Sequence, residues 1–81
     1  MSNEDIFQTM RDLVAEQFGM EPDEVTMDTA FEYDLGADSV DLVELVMAME
    51  EEFDIGEVQE EELGTLKTVG DAVRYVAGKQ N

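Results

Sequence analysis

The sequence predicts an all-α fold, a small up-down bundle of three main helices and one short one, and three observations carry that prediction. Apolar residues recur at helical spacing in three separate stretches, capping residues and glycines bracket those stretches, and no segment alternates as a strand would. At 81 residues the chain is long enough for one compact domain and too short for two, so residues 1–81 are expected to form a single domain.

The first helix is expected from about Asn3 to Phe18. Ile6, Met10, Leu13, Val14 and Phe18 share a face, with Phe7 beside them, and Ser2 or Asn3 can cap the start. Gly19 suits the position after the last turn, and Pro22 prevents continuation. A long connection runs on to about Asp38. Within it Pro22 to Val25 can form one helical turn, while Val25, Ala30, Phe31 and Leu35 are apolar enough to pin the segment to the core. A connection this long in a small domain is uncommon and often functional.

The second helix is expected from about Ser39 to Phe53, with Asp38 or Ser39 as its cap. Leu42, Val46, Met49 and Phe53 follow i, i+4, i+7, i+11 and form its core face, flanked by Val43 and Leu45. Asp41, Glu44 and Glu51 make an acidic stripe on the other side, interrupted by Ala48, with Val40 and Met47 next to it. Glu50 fits neither face. Gly56 breaks the pattern, and a brief third helix is expected around Gln59 to Leu63, ended by Gly64. Thr68, with Asp71 three residues on, forms a capping-box pair at the start of the last helix. Val69, Ala72, Val73 and Val76 supply that helix's apolar face, and Arg74 and Lys79 lie toward its C-terminal end.

Charge narrows the function. Four basic residues face 22 acidic ones, a formal net of -18, and no Lys or Arg lies between Asp12 and Leu66. Nucleic acid and anionic membrane surfaces are therefore excluded as expected partners, because both require basic residues. Basic protein surfaces and divalent cations remain, and encounters with a basic partner are expected to be accelerated by long-range attraction and weakened by salt. The chain has no Cys and no His, which removes disulfides, thiolate metal sites and imidazole bases. It begins without a basic, apolar leader and has no run long enough to span a bilayer, so a free-standing cytoplasmic domain is the expectation. Like-charged copies repel, so a monomer is expected.

The stretch from Asp34 to Asp41 carries the chemistry. Ser39 stands at a helix N-terminus, where unpaired N–H groups and the helix dipole favour a phosphate, and it follows a long loop and a glycine. Taken alone, a serine before a helix is most often only a cap. A calcium-loop reading counted from Asp34 needs Gly at the sixth position and Glu at the twelfth; the chain has Ser39 and Leu45 there, so that reading fails. An acidic adaptor that docks without any covalent load is a further alternative, and it differs in not needing Ser39.

The run Asp34-Leu35-Gly36-Ala37-Asp38-Ser39, continuing through Val43-Glu44-Leu45-Val46-Met47-Ala48 to Glu50-Glu51-Glu52-Phe53, resembles an acyl carrier protein of the bacterial type II fatty-acid-synthesis type. Val25-Thr26, Phe31, Thr68-Val69 and Asp71-Ala72 extend the resemblance over nearly the whole chain. It implies a carrier and not an enzyme. In such proteins a phosphopantetheinyl transferase installs 4′-phosphopantetheine from coenzyme A on the serine, here Ser39, and acyl groups ride on its thiol as thioesters. The resemblance further implies docking on basic patches of acyl-handling synthesis enzymes through the second helix. Asp38, Val40, Asp41, Glu44, Met47 and Glu51 are the candidate contact residues, and Leu42, Val46, Met49 and Phe53 the candidate lining of an acyl cavity. Position 40 is Val where the family most often has Leu. The Asp54 to Leu66 segment is one residue longer than the common pattern and lacks its usual proline. A stand-alone carrier for polyketide or other specialised synthesis is the alternative within the class.

Overall fold

The computed structural model of the chain describes residues 1–80. Among the described residues four α-helices follow in order: α1 Asn3–Phe18, α2 Ser39–Phe53, α3 Glu60–Leu63 and α4 Val69–Gln80, with a single 3-10 turn at Pro22–Glu24. No strand occurs among the described residues; one isolated antiparallel bridge joins Ala30 to Thr68. The expected all-α bundle of three long helices and one short one is therefore present.

Helix limits follow from local chemistry. Ser2 Oγ accepts from the Asp5 N–H at 3.2 Å while the Asp5 carboxylate accepts from the Ser2 N–H at 3.3 Å, a reciprocal cap on α1. Gly19 ends α1 with φ 65, a left-handed conformation that glycine adopts without strain. At the end of α2 the left-handed residue is Asp54 (φ 52), two positions before the Gly56 that the sequence marks as the break.

α1 packs against both α2 and α4. Ile6, Met10 and Val14 from α1 meet Leu45, Val46, Met49 and Phe53 from α2 and Val69, Val73 and Val76 from α4 in one core. The buried arc of α2 is turned relative to expectation. Leu45 is 1% exposed and central, whereas Val43, which the periodicity also put on the flank, is 43% exposed. The reason is the position of α1: the Gln17 side-chain amide donates to the Asp41 carbonyl at 2.6 Å, so α1 covers the Asp41 and Leu45 side of α2 and leaves the Val43 side open.

The long connection is pinned as expected by buried Val25 and Phe31, with Ala30 and Leu35 half-buried. Backbone bonds fix it further. The Thr29 and Met27 carbonyls accept from the Val69 and Gly70 N–H groups at 2.9 and 2.8 Å, and the Lys67 carbonyl accepts from the Phe31 N–H at 2.9 Å. Thr68 Oγ1 accepts from the Asp71 N–H at 3.1 Å, so the first three amides of α4 all have acceptors. Gly70 makes this approach possible, since a Cβ there would stand 2.9 Å from the Met27 carbonyl oxygen.

Two carboxylates hold the departing segment Asp54 to Leu66. Glu50, unassigned by periodicity, is half-buried and accepts from the Val58 N–H at 2.7 Å. Glu62 accepts from the Gln59 N–H at 3.0 Å and from the Tyr75 hydroxyl at 3.0 Å, with Lys79 at 3.9 Å. The Gln59 N–H is the main reason the Glu62 carboxyl lies below its ordinary value; partial burial opposes the shift, and Tyr75 and Lys79 add to it. Burial pushes the Tyr75 hydroxyl up, and Glu62 raises it further.

Candidate functional site

The residues before α2 wrap tightly. The Asp34 carboxylate accepts from the Ala30 N–H at 2.7 Å, the Gly36 N–H donates to the Glu32 carbonyl at 3.1 Å, and the Ala37 N–H donates to the Phe31 carbonyl at 2.9 Å. Gly36 sits at φ 64, the left-handed conformation the reversal requires. Phe31 and Ala37 are drawn inward, and Asp38 and Ser39 emerge at the surface.

Asp38 is the cap of α2. Its Oδ1 accepts from the Asp41 N–H at 2.9 Å, and the Asp41 carboxylate accepts from the Asp38 N–H at 3.2 Å. Ser39 is thus the first helical residue. It is exposed, and its hydroxyl has no hydrogen bond among the described residues. The Ser39 and Val40 N–H groups likewise have no acceptor there. Two open amides at the positive end of a 15-residue helix, beside a free hydroxyl, are a favourable setting for a phosphate ester.

Ser39 also opens onto a groove of about 960 Å³ between the loop, α2 and the α3–α4 connection. Its apolar lining includes Phe31, Ala37, Leu42, Leu63 and Leu66, and Glu32, Tyr33, Asp38, Ser39 and Lys67 also border it. Of the four candidate cavity residues, only half-buried Leu42 faces this groove. Val46, Met49 and Phe53 are 4%, 0% and 5% exposed and lie inside the closed core.

The candidate contact residues divide in two. Val40, Glu44, Met47 and Glu51 follow i, i+4, i+7, i+11 and share one exposed face of α2, with Val40 62% and Met47 60% exposed. Val43 adjoins them, an exposed apolar residue that the sequence reading assigned to the flank of the core. Asp41 is half-buried, and its carboxylate is engaged in the cap. Sequence reasoning also passed over Tyr33, which is 92% exposed, and Lys67. The Tyr33 signal was an aromatic between Glu32 and Asp34 in a loop; Lys67 carried none, because its place in the groove depends on tertiary pairing with Phe31.

Among the described residues no group of carboxylates is arranged to hold a metal ion, and no helix is long and apolar enough to cross a membrane. A family model described as the phosphopantetheine attachment site matches residues 8–76. Among solved structures, the chain is similar to the acyl carrier protein of Enterococcus faecalis, with a TM-score of 0.80 and 33% sequence identity over 98% of this chain and 99% of that one.

Proposed function

Because the chain belongs to the phosphopantetheine-attachment family and has the acyl carrier protein fold, we propose that Ser39 is the attachment residue and that the protein carries acyl intermediates for fatty acid biosynthesis. The observation that carries this reading is Ser39 itself: exposed, unbonded, first in α2 and at the mouth of the groove. The group supplies a terminal thiol on a long arm, which a chain without cysteine otherwise lacks.

The chain's own residues prepare the attachment. Asp38 satisfies the third amide of α2 and leaves the first two without a protein acceptor among the described residues. In the transfer, Ser39 Oγ attacks the coenzyme A phosphorus to which the pantetheine is esterified. A P–O bond of the pyrophosphate breaks, 3′,5′-adenosine bisphosphate leaves, and the hydroxyl proton passes to a base on the transferase. The protein contributes the nucleophilic oxygen and its placement, with no catalysis of its own.

The exposed face of α2 is the proposed docking surface. Val40, Val43 and Met47 offer apolar contact within a rim of Glu44 and Glu51, which suits a partner with an apolar centre and basic surroundings. Asp38 is exposed next to Ser39 and joins that rim, whereas Asp41 contributes chiefly by holding the cap. The fatty-acid pathway is supported by the run from Asp34 to Ser39 and by likeness to an acyl carrier protein. The cytoplasm is the proposed setting, and a monomer the proposed state.

Intact mass after incubation with coenzyme A and a broad-specificity phosphopantetheinyl transferase tests the assignment. The parent is expected to gain one phosphopantetheine and Ser39→Ala none, with unchanged helicity because Asp38 remains as the cap. A folded parent that gains no mass refutes it. Acylation of the loaded form by fatty-acid-synthesis enzymes then tests the pathway.

A further inference from the structure

Three of the four basic residues are held in ion pairs: Arg11 with Asp12 at 3.9 Å, Arg74 with Asp71 at 3.0 Å and Lys79 with Glu62 at 3.9 Å. Lys67 is the fourth. Its ammonium has no carboxylate partner among the described residues, although the chain carries 22 acidic residues, and it lines the groove that opens at Ser39.

Main-chain bonds set its place. The Lys67 carbonyl accepts from the Phe31 N–H at 2.9 Å, and the Phe31 carbonyl accepts from the Ala37 N–H at 2.9 Å, so one residue links Lys67 to the segment leading into Ser39. The Lys67 N–H donates to Asp71 at 3.1 Å. None of these bonds uses the side chain, which is left available to the groove.

We propose that Lys67 is the anion-binding point of this groove, receiving a negatively charged group borne on the arm: the phosphodiester at Ser39, or a carboxylate at the far end of a dicarboxylic acyl load. The proposal rests on the carrier reading. Among the described residues Lys67 is the groove's one cation, set against Glu32 and Asp38 and an apolar lining that includes Leu63 and Leu66. A free anion is repelled by the net charge of -18. An anion tethered at Ser39 is not so limited, because tethering delivers it at an effective concentration on the order of millimolar or more. The site therefore discriminates between a load that is part of the molecule and anions in solution.

The test uses the holo protein and its adipoyl and hexanoyl forms, prepared with the transferase and the matching coenzyme A thioesters and verified by mass, in the parent, Lys67→Gln and Lys67→Arg. One readout is the rate of thioester cleavage by hydroxylamine, adipoyl relative to hexanoyl. The other is the ³¹P shift of the holo form with its thiol free. If the anion is the carboxylate, Lys67→Gln raises the adipoyl-to-hexanoyl ratio about 1.5- to 5-fold, the range of an exposed ion pair. Lys67→Arg then keeps the parental ratio, and salt at about 1 M removes the difference. If it is the phosphodiester, the ratio stays constant while the ³¹P shift moves in Lys67→Gln and not in Lys67→Arg. Constancy of both readouts in Lys67→Gln overturns the proposal. Absence of any added mass on the parent is the separate failure of the carrier reading.

Discussion

Gly70→Ala and Gly78→Ala place the same methyl group in the same helix and are expected to move stability in opposite directions. Replacing a helical glycine by alanine gains up to about 1 kcal/mol from backbone entropy, the full amount applying to a helix interior. At Gly78 nothing among the described residues lies within 4 Å of the added Cβ, so a gain of a few tenths to about 1 kcal/mol is expected near this helix end. At Gly70 the Cβ would stand 2.9 Å from the Met27 carbonyl oxygen and 3.3 Å from the Arg74 guanidinium nitrogens. The guanidinium can swing away. The carbonyl cannot, because it is backbone and already accepts from the Gly70 N–H at 2.8 Å, while its neighbour Thr29 accepts from Val69. Displacing it forfeits one or two hydrogen bonds worth about 0.5–1.5 kcal/mol each, and overpacking adds about 1–3 kcal/mol. After a propensity gain of about 1 kcal/mol, the net loss is about 0.5–5 kcal/mol, or roughly 4–8 °C in Tm for each kcal/mol. Urea unfolding followed by circular dichroism measures both variants. A Gly70→Ala midpoint at or above that of the parent refutes the claim that loop carbonyls cap α4.

The remaining expectations concern charge. Glu62 and Asp71 both have carboxyls below their ordinary values. For Asp71, burial acts upward and is outweighed by the Arg74 guanidinium and the Lys67 and Thr68 N–H groups. A depressed carboxylate stabilises the fold fully above its unfolded value of about 4 and loses that contribution as pH falls through the lower folded value. Glu62→Gln is therefore expected to be less stable than the parent at pH 7, with the gap closing as pH is lowered from about 5 to 3; a gap that widens on acidification refutes the network. For the chain as a whole, sodium or magnesium chloride is expected to raise Tm by screening repulsion at a net charge of -18, and a flat response across a salt titration counts against self-repulsion as a significant cost.

The limits of α1 and α2 were legible because their caps are side-chain events close in sequence: Ser2 with Asp5, Asp38 with Asp41, and Gly19 after Phe18. The proposed attachment motif is visible in the sequence for the same reason, as a contiguous run from Asp34 to Ser39. What escaped depends on contacts without a residue signature. The anchoring of the loop by the Met27 and Thr29 carbonyls leaves no mark in the side chains, since any residue carries a carbonyl. Glu50 looked misplaced on a helical wheel because its partner, the Val58 N–H, lies beyond the helix. Periodicity located the buried arc of α2 but not its turn toward Leu45, which depends on where α1 docks.

α2 and α4 solve the same physical problem differently, and the difference separates structure from function. Each begins with orphan N–H groups that must find acceptors or water. In α4 the amides of Val69, Gly70 and Asp71 all meet protein oxygens, and buried Thr29 is part of the arrangement, so this end is closed and gives the loop its anchor. In α2 the capping box satisfies Asp41 and stops there, leaving the amides of Ser39 and Val40 facing solvent beside a free hydroxyl. Open amides at an exposed helix start cost little, because water serves them. They also contribute about 0.3–1 kcal/mol to an anion placed there, more than the bare helix surface offers. The closed start of α4 holds the loop, and the loop sets where α2 begins. Anchoring at one helix N-terminus thereby helps to set the position of accessibility at the other, so a substitution at Gly70 is expected to bear on the placement of Ser39 without touching it.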